Sequence, residues 1–345
     1  MSHLASEINE QPDVIARLFE AEGANVAAIG QAVRAFNPAF VWIAARGTSD
    51  NAARYAQYLW GTHARLAVGL ATPSVHTLYD AAPDLSRAVV LGISQSGRSE
   101  DVRRVLTDAR AQGALTIAIT NAPDSPLAQS AAHHVCLHAG AELSVAATKT
   151  YTAQLMAVAM LAAAIAEDDD CQHGLARLPG LMRETLALAA PTEQWVERYR
   201  YIERYAVIGR GYNYCTAFEV SLKIKELCYI SGEEYSEADF RHGPIAVIQP
   251  GFPVILVAPQ GKTLTKQLEL LEQLQQKQAE CLVITNADQA QPLARRVLPL
   301  PANVPEWISP ILAVIPGQVF AMNLALARGL PIDQPRGLTK VTITE

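Results

Sequence analysis

The sequence predicts an α/β fold made of two tandem domains, each with a parallel sheet, and three observations support this. Short β-branched runs alternate with longer amphipathic stretches, which is the pattern of strands and crossover helices in a parallel sheet. The same order of elements recurs about 165 residues later in the chain. The length of 345 residues is also that of two domains of ordinary size.

The predicted elements of the first domain follow from where the apolar runs begin and end. The predicted strands lie near residues 40–44, 66–70, 88–93, 115–119 and 134–137, and the clearest helices cover 49–59, 99–111 and 148–167. The last helix is interrupted by Gln154 and is shorter than the roughly 20 apolar residues that a bilayer requires. We therefore expect a buried helix here.

An acidic run, EDDD, follows this helix and is typical of a solvated end to a folding unit. The predicted organisation is an N-terminal helical segment at 1–35, a first domain at 36–170, a second domain at 171–330 and a C-terminal tail at 331–345. The fold class expected for the two domains is flavodoxin-like, with three αβα layers.

Three pairs of segments carry the internal repeat. IAARGTSD at Ile43 matches VIGRGYNY at Val207, VVLGISQSG at Val89 matches VILVAPQGK at Val254, and TIAITNA at Thr116 matches LVITNA at Leu282. Three elements in one order at one separation indicate two copies of a single α/β unit. The second copy lacks the hydroxyl-rich turn of the first, so one site per chain is expected.

Composition excludes several classes of protein. The formal net charge of −6 and the pI near 5.8 do not fit a nucleic-acid-binding protein, which would more often carry clustered basic residues. The N-terminus is acidic and has no apolar core, so no secretory signal is predicted and the expected location is the cytoplasm. No membrane association is expected. The five cysteines form no CxxC pair, which argues against a disulfide framework and against a zinc site.

A polar turn follows the predicted strand at 88–93 and opens a helix. It contains Ser94, Gln95, Ser96 and Ser99. Ligands of open α/β sheets bind at the carboxyl ends of strands, and backbone N–H groups at a helix start attract anions. The turn therefore predicts a phosphate-binding loop without a lysine, and its spacing is not that of a Walker loop. The alternative is a serine-rich helix cap that binds no ligand.

A second polar turn ends the first strand of this domain. Arg46 and Gly47 precede Thr48 and Ser49, whose hydroxyls could cap the next helix or meet sugar hydroxyls. The matching turn in the second copy contains Arg210 but no GxGxxG motif, so NAD binding is not expected.

The densest chemical cluster is the segment SLKIKELCYISGEEYSEADFRHGP, which begins at Ser221. Lys223 and Glu226 are three residues apart on a predicted helix and share a face, whereas Lys225 points elsewhere. A lysine beside a carboxylate keeps it ionised, as a base for proton transfer at carbon requires. The alternative is an exposed ion pair. His242 lies in a predicted loop and has an imidazole suited to proton transfer to a ring oxygen, although a lone surface histidine has the same pattern.

His134, Cys136 and His138 alternate along one predicted strand. Ligands at every second residue span roughly 13 Å and diverge too far to share one ion. No metal and no organic cofactor are therefore expected.

Together these segments resemble the sugar isomerase (SIS) family. The closer similarity is to its two-domain branch, which contains the isomerase half of glucosamine-6-phosphate synthase and stand-alone amino-sugar-phosphate deaminases. The motifs that carry the resemblance are RGTS at Arg46, SQSG at Ser94, ELSVAATKT at Glu142, SLKIKE at Ser221, RHGP at Arg241 and DQPRGLTK at Asp333. They extend over essentially the whole chain.

The resemblance implies a role for each matching residue. The phosphate would be held by Ser94, Gln95, Ser96 and Ser99 with Thr48 nearby, while Arg46, Gly47, Ser49, Val145, Ala147 and Thr339 would line the rest of the substrate site. Glu226 would move a proton between C1 and C2, supported by Lys223. His242, donated by the neighbouring subunit of a homodimer, would help to open the ring. Lys340 would contact the carbonyl end of the sugar, which makes the C-terminal tail an active-site flap.

Several residues depart from the synthase pattern. Arg46 stands where the synthase carries a cysteine, and Arg98, Ala147 and Asp239 also differ from it. No amidotransferase domain or N-terminal catalytic cysteine is found in the sequence, so ammonia release from glutamine is not expected.

The expected activity is isomerising deamination of glucosamine 6-phosphate to fructose 6-phosphate and ammonia, with a phosphorylated amino sugar as the substrate class. Four alternatives stay open. The substrate could be galactosamine 6-phosphate, or a fructosamine 6-phosphate deglycated at the same residues. The enzyme could also isomerise without deamination, or the chain could be a non-catalytic phosphosugar sensor.

Overall fold

A computed structural model describes residues 2–340 of the chain. Among these residues there are two five-stranded sheets, and every strand pairs with its neighbours in the parallel sense. The first sheet has the order β2-β1-β3-β4-β5 and the second has the order β7-β6-β8-β9-β10. Both therefore have the flavodoxin-like order 2-1-3-4-5. The predicted α/β class with two tandem parallel sheets is confirmed.

The bounds of the elements are as follows. The first part of the chain contains α1 (His3–Phe36), β1 (Phe40–Ala44), α2 (Thr48–Leu59), β2 (Val68–Leu70), α3 (Pro73–Thr77), β3 (Ala88–Ile93), α4 (Glu100–Ala111), β4 (Leu115–Thr120), α5 (Pro126–Ser130), β5 (His133–Cys136), α6 (Lys149–Ala166) and α7 (Asp169–Ala176). The second part contains α8 (Leu178–Ala189), β6 (Arg204–Gly209), α9 (Tyr214–Cys228), β7 (Ser231–Ser236), α10 (Glu237–Arg241), β8 (Pro253–Val257), α11 (Leu264–Gln276), β9 (Glu280–Thr285), β10 (Arg296–Pro299) and α12 (Ser309–Ala327).

The chain divides into two compact units, each containing one sheet. The first-sheet unit comprises Glu10–Glu142, Lys149–Pro179 and residues 339–340, and the second-sheet unit comprises residues 2–9, Leu143–Thr148 and Gly180–Leu338. Short segments of α1 and of the ELSVAATKT motif thus group with the second sheet. The domain ranges drawn from the sequence do not contain this exchange of segments and remain predictions.

The pairing register supports the internal repeat. Val41 of β1 lies opposite Val89 of β3, and Val207 of β6 lies opposite Ile255 of β8. The two partners of each pair are the same number of residues apart in the chain, since 89 − 41 and 255 − 207 are both 48. The two sheets are therefore built from equivalent strands in equivalent order.

The central strands and two apolar helices form the cores. All residues of β3, β8 and β9 are buried, as expected for parallel strands covered on both faces. The α6 helix and the segment Glu306–Ala327 are long and apolar enough to cross a membrane. However, 94% and 83% of an 18-residue apolar stretch of each are buried inside the protein. This is the burial of core helices, and α6 agrees with the buried helix predicted from the sequence.

One predicted strand is shorter than expected. The sequence predicts a strand from residue 66, whereas β2 begins at Val68. The chain leaves α2 through a π-helical turn, Trp60–Ala64, and Arg65 then adopts a left-handed conformation with φ 57°. Leu66 N–H donates to the Trp60 carbonyl at 3.3 Å, which closes the turn and delays the strand.

Candidate functional site

The two polar turns of the first domain lie at the switch point of the first sheet. In a 2-1-3-4-5 sheet, the connections from strands 1 and 3 leave toward opposite faces, and ligands bind at the carboxyl ends of these two strands. Ala44 ends β1 just before Arg46, and Ile93 ends β3 just before Ser94. The topology therefore brings the RGTS and SQSG motifs to one edge of one sheet, as the sequence predicts.

The SQSG turn is a compact loop held by its own hydroxyls. Ser94 is buried, its Oγ lies 3.2 Å from Ser99 Oγ, and it accepts a hydrogen bond from Gly97 N–H at 3.2 Å. Ser99 is the N-cap residue of α4, but its side chain makes no capping hydrogen bond. Helix capping therefore does not account for the Ser99 hydroxyl.

Gly97 is the residue that allows this loop to close. Its φ of +64° is a left-handed conformation that other residues adopt only with strain. A Cβ at this position would also collide with Ser125 Oγ. The Ser96 hydroxyl accepts from Arg98 N–H at 3.3 Å, and both Gln95 and Ser96 are partly exposed. The loop thus presents hydroxyl, amide and backbone donors at the start of α4, where the helix dipole favours an anion.

The RGTS turn is tied to the same helix. Arg46 Nε lies 2.6 Å from Oδ2 of Asp101, a fully buried carboxylate in the first turn of α4. Gly47 has φ 54° and precedes Thr48, the first residue of α2. Ser49 is buried and its hydroxyl accepts from Gln154 at 2.9 Å, so this side chain connects α2 to α6.

The second sheet uses the equivalent loop differently. Lys262 N–H donates to Oε2 of Glu306 at 2.8 Å, and both the N–H and the hydroxyl of Thr263 donate to its Oε1, at 3.3 and 2.9 Å. A Cβ on Gly261 would collide with the same carboxylate. A carboxylate of the chain itself therefore occupies the position that an anion would take. This supports the prediction of one phosphate site per chain.

Replacing Glu306 by alanine is expected to destabilise the protein by about 1.5–3 kcal/mol, because several hydrogen bonds to one charged acceptor are lost together. Urea unfolding of the variant measures the effect. The matched control is Glu272→Ala on the exposed surface of α11, which should change stability by less than about 0.5 kcal/mol. Equal stabilities of the two variants would contradict the role assigned to Glu306.

A lysine between two carboxylates is the main feature of the second-sheet unit. Lys223 is fully buried in α9, and its Nζ lies 2.6 Å from Glu226 Oε2 and 3.3 Å from Glu219 Oε1. Glu219 is also fully buried, whereas 21% of the Glu226 side chain is exposed. Only one of the two carboxylates is therefore accessible to a ligand.

The charge of this cluster follows from its geometry. Burial disfavours the charged form of Lys223, but the carboxylates of Glu219 and Glu226 outweigh burial and raise its pKa. The ammonium group thus keeps its proton at neutral pH. Lys225 points away and pairs with Glu234 of β7 at 2.7 Å, which confirms the prediction that the two lysines have different directions.

His242 lies in an exposed loop just after α10. The loop is anchored by Glu237, which is buried and pairs with both Arg210 and Arg241. The arginine after β6 thus binds a carboxylate, as Arg46 does after β1. The exposure of His242 leaves its ring accessible to a ligand or to another subunit.

Lys340 is held in the first-sheet unit by Glu142. The buried Glu142 carboxylate accepts from Lys340 Nζ at 2.7 Å and from the N–H and hydroxyl of Thr150 at 3.1 and 2.8 Å. Thr339 precedes this lysine. In the second-sheet unit, Val145 N–H donates to the Asp333 carbonyl at 3.0 Å, and both Val145 and Ala147 are partly exposed.

Sequence analysis assigned no role to five carboxylates that hold the site residues or their loops. Four of them, Asp101, Glu142, Glu219 and Glu237, are buried, and Glu306 is partly buried. Each binds a cation or backbone donors. For Glu219 and Glu237 the four-residue spacing to Lys223 and Arg241 is a signal that could have found them. The other three pair with residues distant in sequence, so spacing contains no such signal.

The cysteines are free thiols, as the sequence predicts. Burial raises the pKa of Cys171, Cys228 and Cys281 to about 12, so these thiols are protonated at neutral pH. His134 lies 2.9 Å from the Thr120 hydroxyl and His138 lies 2.8 Å from Glu22. Separate polar contacts thus account for the alternating histidines.

Comparison with known proteins gives a consistent family assignment. A family model described as the SIS domain matches residues 40–164 and 200–328. Glutamine–fructose-6-phosphate aminotransferase [isomerizing] from Thermus thermophilus is 33% identical over 99% of this chain and 59% of its own length. The same enzyme from Gloeobacter violaceus is 34% identical over 99% of this chain and 58% of its own. The chain thus spans about three-fifths of the length of these curated relatives.

Solved structures with the same fold cover nearly the whole chain. A candidate phosphosugar isomerase from Silicibacter pomeroyi has a TM-score of 0.85 and 33% identity, covering 96% of this chain and 99% of its own. The C-terminal domain of glucosamine-fructose-6-phosphate aminotransferase from Francisella tularensis has a TM-score of 0.87 and 26% identity, covering 96% and 98%. Glucosamine-6-phosphate deaminase from Thermotoga maritima has a TM-score of 0.82 over 99% and 100%, but its 21% identity supports the fold alone.

Proposed function

Because the chain belongs to the SIS domain family and contains two SIS segments, we propose that it is a phosphosugar isomerase that deaminates glucosamine 6-phosphate to fructose 6-phosphate and ammonia. The observation that carries this proposal is the carboxylate of Glu226, partly exposed and ion-paired to a fully buried lysine. An opposite charge beside a carboxylate favours its charged form, which is the form that a base for proton transfer at carbon needs.

The phosphate group of the substrate is assigned to the SQSG loop. Ser94, Gln95, Ser96 and Ser99 supply neutral donors, and the start of α4 supplies backbone N–H groups with the positive end of its dipole. Two facts support the assignment: the side chain of the N-cap residue Ser99 makes no capping hydrogen bond, and Glu306 fills the equivalent loop of the second sheet. Thr48 and the backbone at Gly47 are assigned to the sugar at the adjacent strand end.

The reaction begins when His242 assists ring opening to the open-chain amino-aldehyde. In this proposal a second copy of the chain supplies His242, which its exposure would permit. Glu226 then removes the proton from C2 while O1 takes up a proton, which gives an enolamine. The same carboxylate returns a proton to C1 while the enolamine nitrogen gives up a proton and O1 keeps its own, which gives the ketimine. Water adds to the C2–N bond of the ketimine, and ammonia leaves with formation of the C2 carbonyl.

Two lysines have distinct roles in this scheme. Lys223 touches Glu226 and sets a positive charge beside its carboxylate, so it acts through that residue. We assign Lys340 to the carbonyl end of the sugar, where an ammonium group would stabilise negative charge developing on O1. Glu142 holds the Lys340 ammonium at 2.7 Å and serves as its positioning residue.

The test of the proposal is ammonia release from a panel of substrates. The purified 345-residue chain is incubated separately with glucosamine 6-phosphate, galactosamine 6-phosphate and fructosamine 6-phosphate, and ammonia and fructose 6-phosphate are measured. We expect both products in equal amounts from glucosamine 6-phosphate. Interconversion of phosphosugars without release of ammonia would show that the enzyme isomerises its substrate without deaminating it. Binding without turnover of any substrate would show that the chain is a phosphosugar sensor and not an enzyme.

Replacing Ser94 and Ser96 together by alanine is expected to raise KM for the phosphorylated substrate by about tenfold or more, with a much smaller effect on kcat. The hydroxyls contact the phosphate in the ground state and the transition state alike, so mainly binding is weakened. Steady-state kinetics measure the two constants. Ser130→Ala, whose hydroxyl donates within its own helix to Pro126, is the control. An unchanged KM in the double variant would show that the phosphate does not bind to this loop.

A further inference from the structure

Three side chains with different ligand atoms meet at one end of α6 in the first-sheet unit. His63 lies in the π-helical turn Trp60–Ala64, Asp168 caps α7, and Cys171 lies in the first turn of that helix. Their ligand atoms all lie within 4.8 Å of one another. None of the three belongs to the motifs that the proposed function uses.

Two of the three separations between ligand atoms are close to those of a metal centre. His63 Nδ1 is 3.5 Å from Cys171 Sγ and 3.8 Å from Asp168 Oδ2. Tetrahedral zinc, with bonds of about 2.0–2.1 Å to nitrogen and oxygen and about 2.3 Å to sulfur, separates neighbouring ligand atoms by about 3.3–3.6 Å. An ion could therefore reach all three atoms with only small side-chain rotations.

The backbone arranges two of the ligands in advance. Cys171 N–H donates to Asp168 Oδ1 at 3.0 Å, which fixes this carboxylate and directs Oδ2 toward the histidine. Cys171 is buried with 5% exposure, whereas 19% of the His63 side chain and 36% of the Asp168 side chain are exposed. The cluster is thus open to solvent on the side of Asp168, which provides a path for an ion.

The chemistry of the donors selects the ion. Imidazole, thiolate and carboxylate together form a set that suits zinc, whereas magnesium and calcium prefer oxygen ligands alone. Metal binding would release the proton of the Cys171 thiol to solvent, and the resulting thiolate and the Asp168 carboxylate would together balance the charge of a divalent cation. The π-helical turn gives further support, because such turns are frequent at functional sites.

We propose that His63, Asp168 and Cys171 bind a Zn²⁺ ion, with a water molecule as the fourth ligand on the exposed side. The ion connects the turn after α2 to the start of α7, two segments separated by about a hundred residues. Its main effect is to stabilise the first-sheet unit, because an ion that binds only the folded chain shifts the unfolding equilibrium toward it. The cysteine spacing gave no hint of this site, since the ligands come together only in the fold.

The test is a titration of the chelator-treated 345-residue chain with Co²⁺ as a spectroscopic probe and with Zn²⁺ as a competitor. We expect one equivalent of Co²⁺ to give a thiolate-to-cobalt charge-transfer band together with the visible bands of four-coordinate cobalt, and Zn²⁺ to displace it. We also expect Zn²⁺ to raise the thermal midpoint of the wild-type chain. Absence of the bands at a several-fold excess of Co²⁺ would overturn the proposal.

Variants separate this site from other thiols and from folding defects. Cys171→Ser should abolish the charge-transfer band, and His63→Gln and Asp168→Asn should weaken binding by about tenfold or more. The asparagine retains the helix cap, so Asp168→Asn tests the ligand without removing the hydrogen bond to Cys171. Cys136→Ser and His173→Gln, which leave the cluster intact, should bind like the wild type. Retention of the band in Cys171→Ser, or wild-type affinity in both ligand variants, would refute the site.

Discussion

Replacing Glu226 by glutamine is expected to lower kcat for ammonia release by about 10²- to 10⁴-fold, the usual contribution of a positioned general base. Glutamine has nearly the same shape and keeps an oxygen near Lys223, but it cannot accept the C2 proton. Substrate binding should survive, because the phosphate is assigned to the SQSG loop. The expected result is thus a loss of turnover with binding retained, measured by single-turnover kinetics and by calorimetry with fructose 6-phosphate.

The matched control for this variant is Glu234→Gln. Glu234 is also ion-paired to a lysine of α9, but its partner is Lys225, which points away from Lys223. The same loss of one carboxylate should therefore leave kcat within a factor of a few of the wild type. A Glu226→Gln enzyme with wild-type turnover would disprove the role of this residue, and equal losses in both variants would indicate a general effect on α9.

The strands could be predicted because their signals are local. Residues Ala88–Ile93 form an apolar run bounded by polar turns, and β3 has the predicted bounds. Parallel strands in a two-sided sheet are buried on both faces, so the apolar run coincides with the strand. The start of the second strand was not predicted correctly, because a π-helical turn and the left-handed conformation of Arg65 delay it to Val68. Local composition contains no signal for that turn.

Helical spacing also made part of the candidate site predictable. Lys223 and Glu226 must share a face of α9 whatever packs around them, so their ion pair follows from the sequence. Burial decides between an active base and a surface ion pair, and burial depends on tertiary packing. The sequence therefore left this choice open, and the structure contributes the fully buried lysine and its second acid, Glu219.

The contacts of Glu306 and of the His63 cluster were beyond prediction for a different reason. Each joins segments that are distant in sequence and adjacent only after folding. No periodicity connects such residues, and a single sequence does not show which acidic side chain contacts which loop. Knowledge of the repeat showed that the second loop lacks serines, but it could not show that a carboxylate fills that loop.

Replacing Lys223 by methionine is expected to destabilise the protein by about 3–5 kcal/mol, the cost of leaving a buried charge without its partner. Methionine fills a similar volume, so the loss reflects charge more than packing. Glu219 is fully buried and would lose the ammonium group 3.3 Å away. Because the pKa of Lys223 is raised in the folded protein, its stabilising effect is fully present at neutral pH and disappears only as the pH rises through that raised value. Urea unfolding at pH 7 therefore measures the whole effect.

Two further variants separate this explanation from a simple packing defect. Lys225→Met is the same change two residues away, at an ion pair whose lysine side chain is 38% exposed, and should cost no more than about 1 kcal/mol. The double variant Glu219→Gln with Lys223→Met removes the orphaned carboxylate together with the cation, so it should be more stable than Lys223→Met alone. If the double variant were the less stable of the two, the buried charge would not be the cause. Lys223 would then stabilise α9 through packing, and its burial would no longer support a role for its charge beside Glu226.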